Sequence, residues 1–150
     1  MCKFWLVKQE PTKFSWQDFW SRQAAVWDGV RNYQARNNLR AMELGDYVLF
    51  YHSVTDKRVM GIARVSKTAF PDPTAEDSRW LAVELVPVLP LQEPVTLAAI
   101  KAHPALQNIP LIRQSRLSVM PLKAEEFEII CTLGKTPLHS FFEEFQNAKP

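Results

Sequence analysis

Between Val30 and Arg40 the chain reads VRNYQARNNLR, a stretch with three arginines, three asparagines and no carboxylate. A guanidinium presents a planar fork of donors that matches phosphate oxygens, and an asparagine amide sets a donor beside an acceptor, as reading a base edge requires. A solvated helix face is the competing reading of such a run. The imbalance extends further along the chain. Residues 1–70 hold 11 basic and 6 acidic side chains, a surplus of +5, whereas residues 71–150 hold 7 and 10, a balance of −3, so the net charge of +2 conceals a basic half.

Other chemistries lack their parts. The four glycines, at 29, 45, 61 and 134, cannot form a phosphate-binding glycine loop. His52 and Ser53 are adjacent, but neighbouring strand residues point to opposite faces and no GxSxG elbow is present, which argues against a nucleophile and base pair. The histidines at 52, 103 and 139 share no metal-ligand spacing, and His139 with Glu143 reads as a surface pair. Asp72, Glu76 and Asp77, near Pro71 and Pro73, read as a turn. Cys2 and Cys131 form no CxxC pair, and Cys131 reads as a buried thiol. A non-enzymatic protein without cofactor or metal is expected.

The elements that would position the arginines follow from periodicity. Alternation over Cys2 to Lys8 predicts a strand stopped by Glu10-Pro11, and Ser15 with Asp18 caps a helix over about 15–23. Asn32 caps a second helix over about 33–43, with Tyr33, Leu39 and Met42 as its buried stripe and Gly45 as its break. On that helix Arg36 and Arg40 share a face, so an anionic partner would relieve their repulsion. Strands are expected over Tyr47 to Tyr51, Val59 to Val65 and Arg79 to Leu89, with Pro87 marking an edge or a bulge. Helices are expected over Thr96 to Ala102, Lys123 to Cys131 and Pro137 to Ala148, and Asn108 to Leu122 reads as a loop running into a strand. The sum is an α+β domain with a mixed, curled sheet.

At 150 residues, 47% hydrophobic and 23% charged, the composition fits one globular domain with a sizeable core. Phe4 to Val7 is too short for a signal-peptide core and no apolar run reaches membrane-spanning length, so the expectation is no membrane partner and a cytoplasmic location, nuclear if eukaryotic.

Several separate blocks resemble the EVE domain. They are Phe4 to Pro11 (FWLVKQEP) with Ser15, Trp27 to Asn37 (WDGVRNYQARN), and Gly45-Asp46 with Phe50 to Ser53 (FYHS). Val59 to Val65, Asp72-Pro73-Thr74 and Arg116 to Val119 (RLSV) complete the set, which covers about residues 2–133. The resemblance implies a PUA-like curled mixed β-barrel flanked by helices, related to YTH domains, over residues 1–134. Residues 135–150 lie beyond the shared blocks, and because Phe141, Phe142 and Phe145 exposed together would make an apolar patch, a helical extension packed on the same domain or on a second copy is expected, in a monomer or weak homodimer. The resemblance further implies a non-catalytic reader of modified bases, including methylated cytosine, in DNA or RNA. A nucleic-acid-modifying enzyme, an accessory subunit and a protein-interaction adaptor are the alternatives.

On that resemblance, Trp27 is the stacking wall for a flipped base, where core packing is its other reading. Val30, Asn32 and Tyr33 form the pocket edge, and Ser15, preceded by Phe14 where many relatives carry tyrosine, supplies a pocket hydroxyl. Arg31, Arg36, Arg113, Arg116 and, more weakly, Lys8 would contact phosphates. His52 and Ser53 end a strand near the pocket, and Leu117 and Ser118 line its far wall, with a structural hydrogen bond as the other reading of His52. Gln9, where relatives often have serine or threonine, is a departure confined to a turn.

Overall fold

The computed structural model describes residues 3–137, so Cys2 and, apart from Pro137, the expected C-terminal helix lie outside the described residues. The elements in order are β1 (Phe4–Gln9), α1 (Trp16–Arg22), β2 (Ala25–Trp27), α2 (Tyr33–Ala41), β3 (Tyr47–His52), β4 (Arg58–Pro71) and β5 (Leu81–Thr96). After them come α3 (Leu97–Ala102), a 3-10 turn at Pro104–Leu106, α4 (Pro110–Arg113), β6 (Val119–Leu122) and α5 (Ala124–Leu133).

All six strands join one sheet in the order β2-β5-β4-β3-β1-β6. β1 runs parallel to β3 and every other pairing is antiparallel, so the expected α+β class with a mixed sheet holds. The expected barrel closure is not seen: β2 and β6 stand at opposite ends of the order without pairing to each other. β2 is only three residues long and spends its pairing on Val83–Leu85 of β5.

Local capping explains the helix starts. The Ser15 hydroxyl accepts from Asp18 N at 3.0 Å while the Asp18 carboxylate accepts from Ser15 N at 2.9 Å, a reciprocal box that satisfies two end donors of α1. Asn32 Oδ1 accepts from Ala35 N at 2.9 Å and starts α2. That helix stops before Gly45, because Met42 is extended (φ −65°, ψ 139°) and turns into the core. Asp46, fully buried, then closes the following turn by accepting from Glu43 N and Trp5 Nε1, both at 2.9 Å. Gly45 has its positive φ of 87° within that turn.

β4 and β5 run to 14 and 16 residues, well beyond the lengths that periodicity predicts. Their pairing shifts register four times, and these bulges break the period-2 pattern by which strands are read. Pro87 opposes Ala63 at one such shift and lies past the stretch of β5 that β2 covers, so its missing N–H leaves no ladder partner unmet.

The core gathers around Phe50, with Phe14, Trp16, Phe19 and Trp27 within 5.4 to 6.3 Å of it, ring centre to ring centre, in tilted, stacked or edge-on geometry. Gly61 faces this cluster, and a Cβ there would fall on the Trp16 ring. Cys131 is fully buried, and burial pushes its thiol up to about 12, as expected of a structural thiol. None of the described helices is long and apolar enough to cross a membrane.

Candidate nucleic-acid interface

The residues proposed from the sequence fall into three groups. The first is interior. Trp27 is 3% exposed, packed edge-on against Phe50 at 5.5 Å, with Phe19 and Phe14 each at 6.3 Å, so little of its ring is open to a base. His52 is 6% exposed and both ring nitrogens are engaged: Nε2 accepts from Trp16 N at 3.0 Å, which leaves the proton on Nδ1 to donate to Asp56 at 2.7 Å. Arg58 Nε donates to the same carboxylate at 3.0 Å. This relay ties the end of β3 to the first turn of α1, beside the Ser15 cap, so Ser15 and His52 organise a helix start.

The second group is a surface cluster built on the loop from β2 to α2. Gly29, at φ 76°, donates its N–H to Asp72 Oδ2 at 2.8 Å, and Arg31 Nη1 donates to the same oxygen at 2.9 Å. Thr74 donates to the other oxygen through both N and Oγ1 at 2.7 Å. Burial of Asp72, 3% exposed, raises its pKa, but the donors from Thr74, Arg31 and Gly29 outweigh it and hold the carboxyl at about 2. Asp72 thus clamps the loop carrying Arg31 to the turn after β4. Val30 is 8% exposed beneath that loop.

Outside the clamp, Tyr33 is 53% exposed and does not join the buried stripe of α2, where Leu39 and Met42 do lie. Its ring stacks on Trp80, 5.0 Å away at an interplanar angle of 29°. The Arg36 guanidinium stands over Tyr33 at 5.1 Å and that of Arg31 over Trp80 at 5.7 Å. Arg79 donates to the Tyr33 hydroxyl at 3.1 Å, and Arg36 donates to Arg79 O at 3.1 Å. Asn32 beside them spends its oxygen on the helix cap and keeps its amide nitrogen for a partner. Arg36 also donates from Nε and Nη2 to Asn37 Oδ1, at 3.2 and 2.9 Å, and Arg79 Nε pairs with Asp77 at 2.6 Å, so this cluster offers π surface together with guanidinium donors that a phosphate would share with these partners.

The third group lies where β1, β3 and the α4 to β6 loop meet. Lys8 N donates to Ser118 O and Lys8 Nζ to Ser115 O, both at 2.9 Å, and burial lowers the Lys8 pKa. Lys8, Ser53 and Ser118 line one cleft, while Leu117 is buried under the loop. Arg113, on α4, bonds Asn108 at 3.2 Å, and Arg116 is exposed on the loop. Trp80 and Arg79 were missed from the sequence, because Arg79-Trp80 reads as the opening of a strand. Their proximity to Tyr33 arises only when the turn after β4 folds onto α2.

Among the described residues no group of three or more His, Cys, Asp or Glu side chains is placed to hold a metal. The protein is a six-stranded mixed α+β domain that carries a cluster of aromatic and arginine side chains. Its fold is shared by the YTH domain of a Zygosaccharomyces rouxii protein solved with N6-methyladenosine RNA, at a TM-score of 0.56 with 19% identity, covering 91% of this chain and 88% of that one.

The family model described as "EVE domain" matches residues 3–133, and the chain belongs to the EVE domain family. Mouse thymocyte nuclear protein 1 is 36% identical over 91% of this chain and 75% of its own length. A crystal structure from Agrobacterium tumefaciens agrees at a TM-score of 0.87 with 42% identity, covering 89% of this chain and 93% of that one. The human THYN1 protein, solved in complex with 5-methylcytosine-containing DNA, agrees at 0.81 with 35% identity over 88% and 97%.

Proposed function

We propose that the protein is a non-catalytic module that binds DNA or RNA through a modified base, methylated cytosine being the leading candidate. The observation that carries this reading is the match, over nearly the whole chain, to a human protein solved with 5-methylcytosine-containing DNA. The geometry supports it with a surface suited to a displaced nucleotide. Tyr33 supplies an exposed ring stacked on the half-buried Trp80, Arg31, Arg36 and Arg79 supply phosphate donors, and the free amide nitrogen of Asn32 reads a base edge.

The test uses pairs of single-stranded oligonucleotides that differ only in the modification, titrated at one salt concentration. The modified partner is expected to bind more tightly and to quench tryptophan emission. Asn32→Asp keeps the oxygen that caps α2 but removes the amide donor, so it separates recognition from folding. It is expected to leave the melting temperature near that of the parent and to collapse the ratio of modified to unmodified affinity. An unchanged ratio would remove Asn32 from base reading, and equal binding of both oligonucleotides by the parent would overturn the function.

A further inference from the structure

The end of α5 fixes the point from which the chain continues. Thr136 N donates to Cys131 O and Lys135 N to Thr132 O, both at 2.9 Å, with Lys135 at φ 56°, the Schellman pattern that stops a helix. This stop is tied to β5. Gly134 O accepts from Glu93 N at 3.1 Å, Thr136 Oγ1 accepts from Gln92 N at 2.9 Å, and Lys135 Nζ pairs with Glu93 at 2.9 Å. Residues 138–150, which lie beyond the described residues, therefore start from an anchored position close to Leu133.

Beside that position is a groove of about 250 Å³ between α5 and His103, the residue that ends α3. One side of it is a face of α5, where Glu125, Glu128, Ile129, Thr132 and Leu133 follow at spacings of three and four. Sites for drug-sized ligands begin at about 300 Å³, so this groove suits side chains better. Leu133 is 37% exposed there and Ile129 half-buried.

The sequence after Pro137 carries a stripe to match. Leu138, Phe141, Phe142 and Phe145 recur at i, i+3, i+4 and i+7, the apolar face of a helix. At about 1.5 Å per residue that stripe is about 10 Å long, against about 12 Å from Glu125 to Leu133 on α5. Glu143 and Glu144 fall outside it, away from Glu125 and Glu128, while Lys149 returns to it at the far end. Residues 134–137 are a link within the about two to five residues that join antiparallel helices, and antiparallel packing sends Lys149 towards Glu125.

We propose that this groove is the docking site of the chain's own residues 138–150, packed as a helix antiparallel to α5 with its phenylalanines against Ile129 and Leu133. The short tether favours this segment over that of a second copy, because it holds the segment at an effective concentration on the order of millimolar. The inference is independent of the nucleic-acid reading above.

The full chain is used for the test. NMR is expected to show nuclear Overhauser contacts from the rings of Phe141 and Phe145 to the methyl groups of Ile129 and Leu133, in a sample whose light scattering gives the monomer mass. Leu133→Asp places a charge in the groove at an exposed position. It is expected to move the signals of residues 138–150 to random-coil values and to speed chymotrypsin cleavage after Phe141, Phe142 or Phe145 about tenfold or more. Phe141→Ser/Phe145→Ser, which alters the segment and leaves α5 intact, is expected to shift the Leu133 methyl signals. Contacts found only between differently labelled chains of a dimer would assign the groove to a second copy and overturn the proposal. Random-coil signals for residues 138–150 in the parent, or a Leu133→Asp chain cleaved at the parent's rate, would overturn it as well.

Discussion

Asp72, buried, anchors the loop that carries Arg31 beside the aromatic and arginine cluster. It accepts four hydrogen bonds from Gly29, Arg31 and Thr74 and is ionised with a pKa of about 2, below the 3.8 of an unstructured aspartate. A depressed folded-state value means stability that is present above about pH 4 and lost as pH falls from there towards 2. At about 1.4 kcal/mol per pKa unit, this contribution is on the order of 2 kcal/mol. Urea unfolding between pH 2 and 5 should show that loss in the parent, and Asp72→Asn should be less stable at pH 7 with a flatter acid limb. Two aromatic substitutions are expected to separate stability from binding. Trp27→Ala opens the core and should cost roughly 3–5 kcal/mol in stability. Tyr33→Ala, at an exposed ring, should change stability by less than about 1 kcal/mol yet weaken oligonucleotide binding about tenfold, within the worth of one stacked base. Calorimetric melting and fluorescence titration of both variants check this contrast.

Among the elements, α1 is held from two directions that the sequence shows unequally. The Ser15 and Asp18 box is three residues wide and visible as a pattern, whereas the bond from Trp16 N to His52 spans 36 residues and has no local trace. His52 was read as a ligand or a structural group with equal reason, and only the placement of β3 against α1 decides how its two nitrogens are used. The same packing makes Gly61 a contact point for the Trp16 ring. Gly61→Ala should therefore destabilise by about 1–3 kcal/mol through overpacking, read as a lowered urea midpoint with unchanged slope. Capped helix starts and the β3 strand were legible because their signals are contiguous. The three-residue β2 was not, and neither were the bulged ends of β4 and β5, whose register shifts erase the alternation on which strand reading depends.

For the whole molecule, the surplus of basic side chains in residues 1–70 predicts binding that weakens as salt rises. A plot of log affinity against log salt should be linear, with a slope that Arg36→Ala makes shallower by about 0.7 for a single strand while leaving base preference intact. Alternation, caps and the Arg31 to Arg40 run determined, without any tertiary information, an α+β chain with a basic, amide-rich helix start, and the block resemblance pointed to the family. Tertiary structure alone decided which side chains meet. It moved Tyr33 out of the expected core stripe onto Trp80, drew Trp27 into the aromatic interior, and divided the proposed contacts between an aromatic face and a lysine cleft. The reason is range. Periodicity and capping act over three or four residues along the chain, whereas Tyr33 and Trp80, Arg31 and Asp72, and Lys8 and Ser115 meet through sheet register and strand order, which no local pattern encodes.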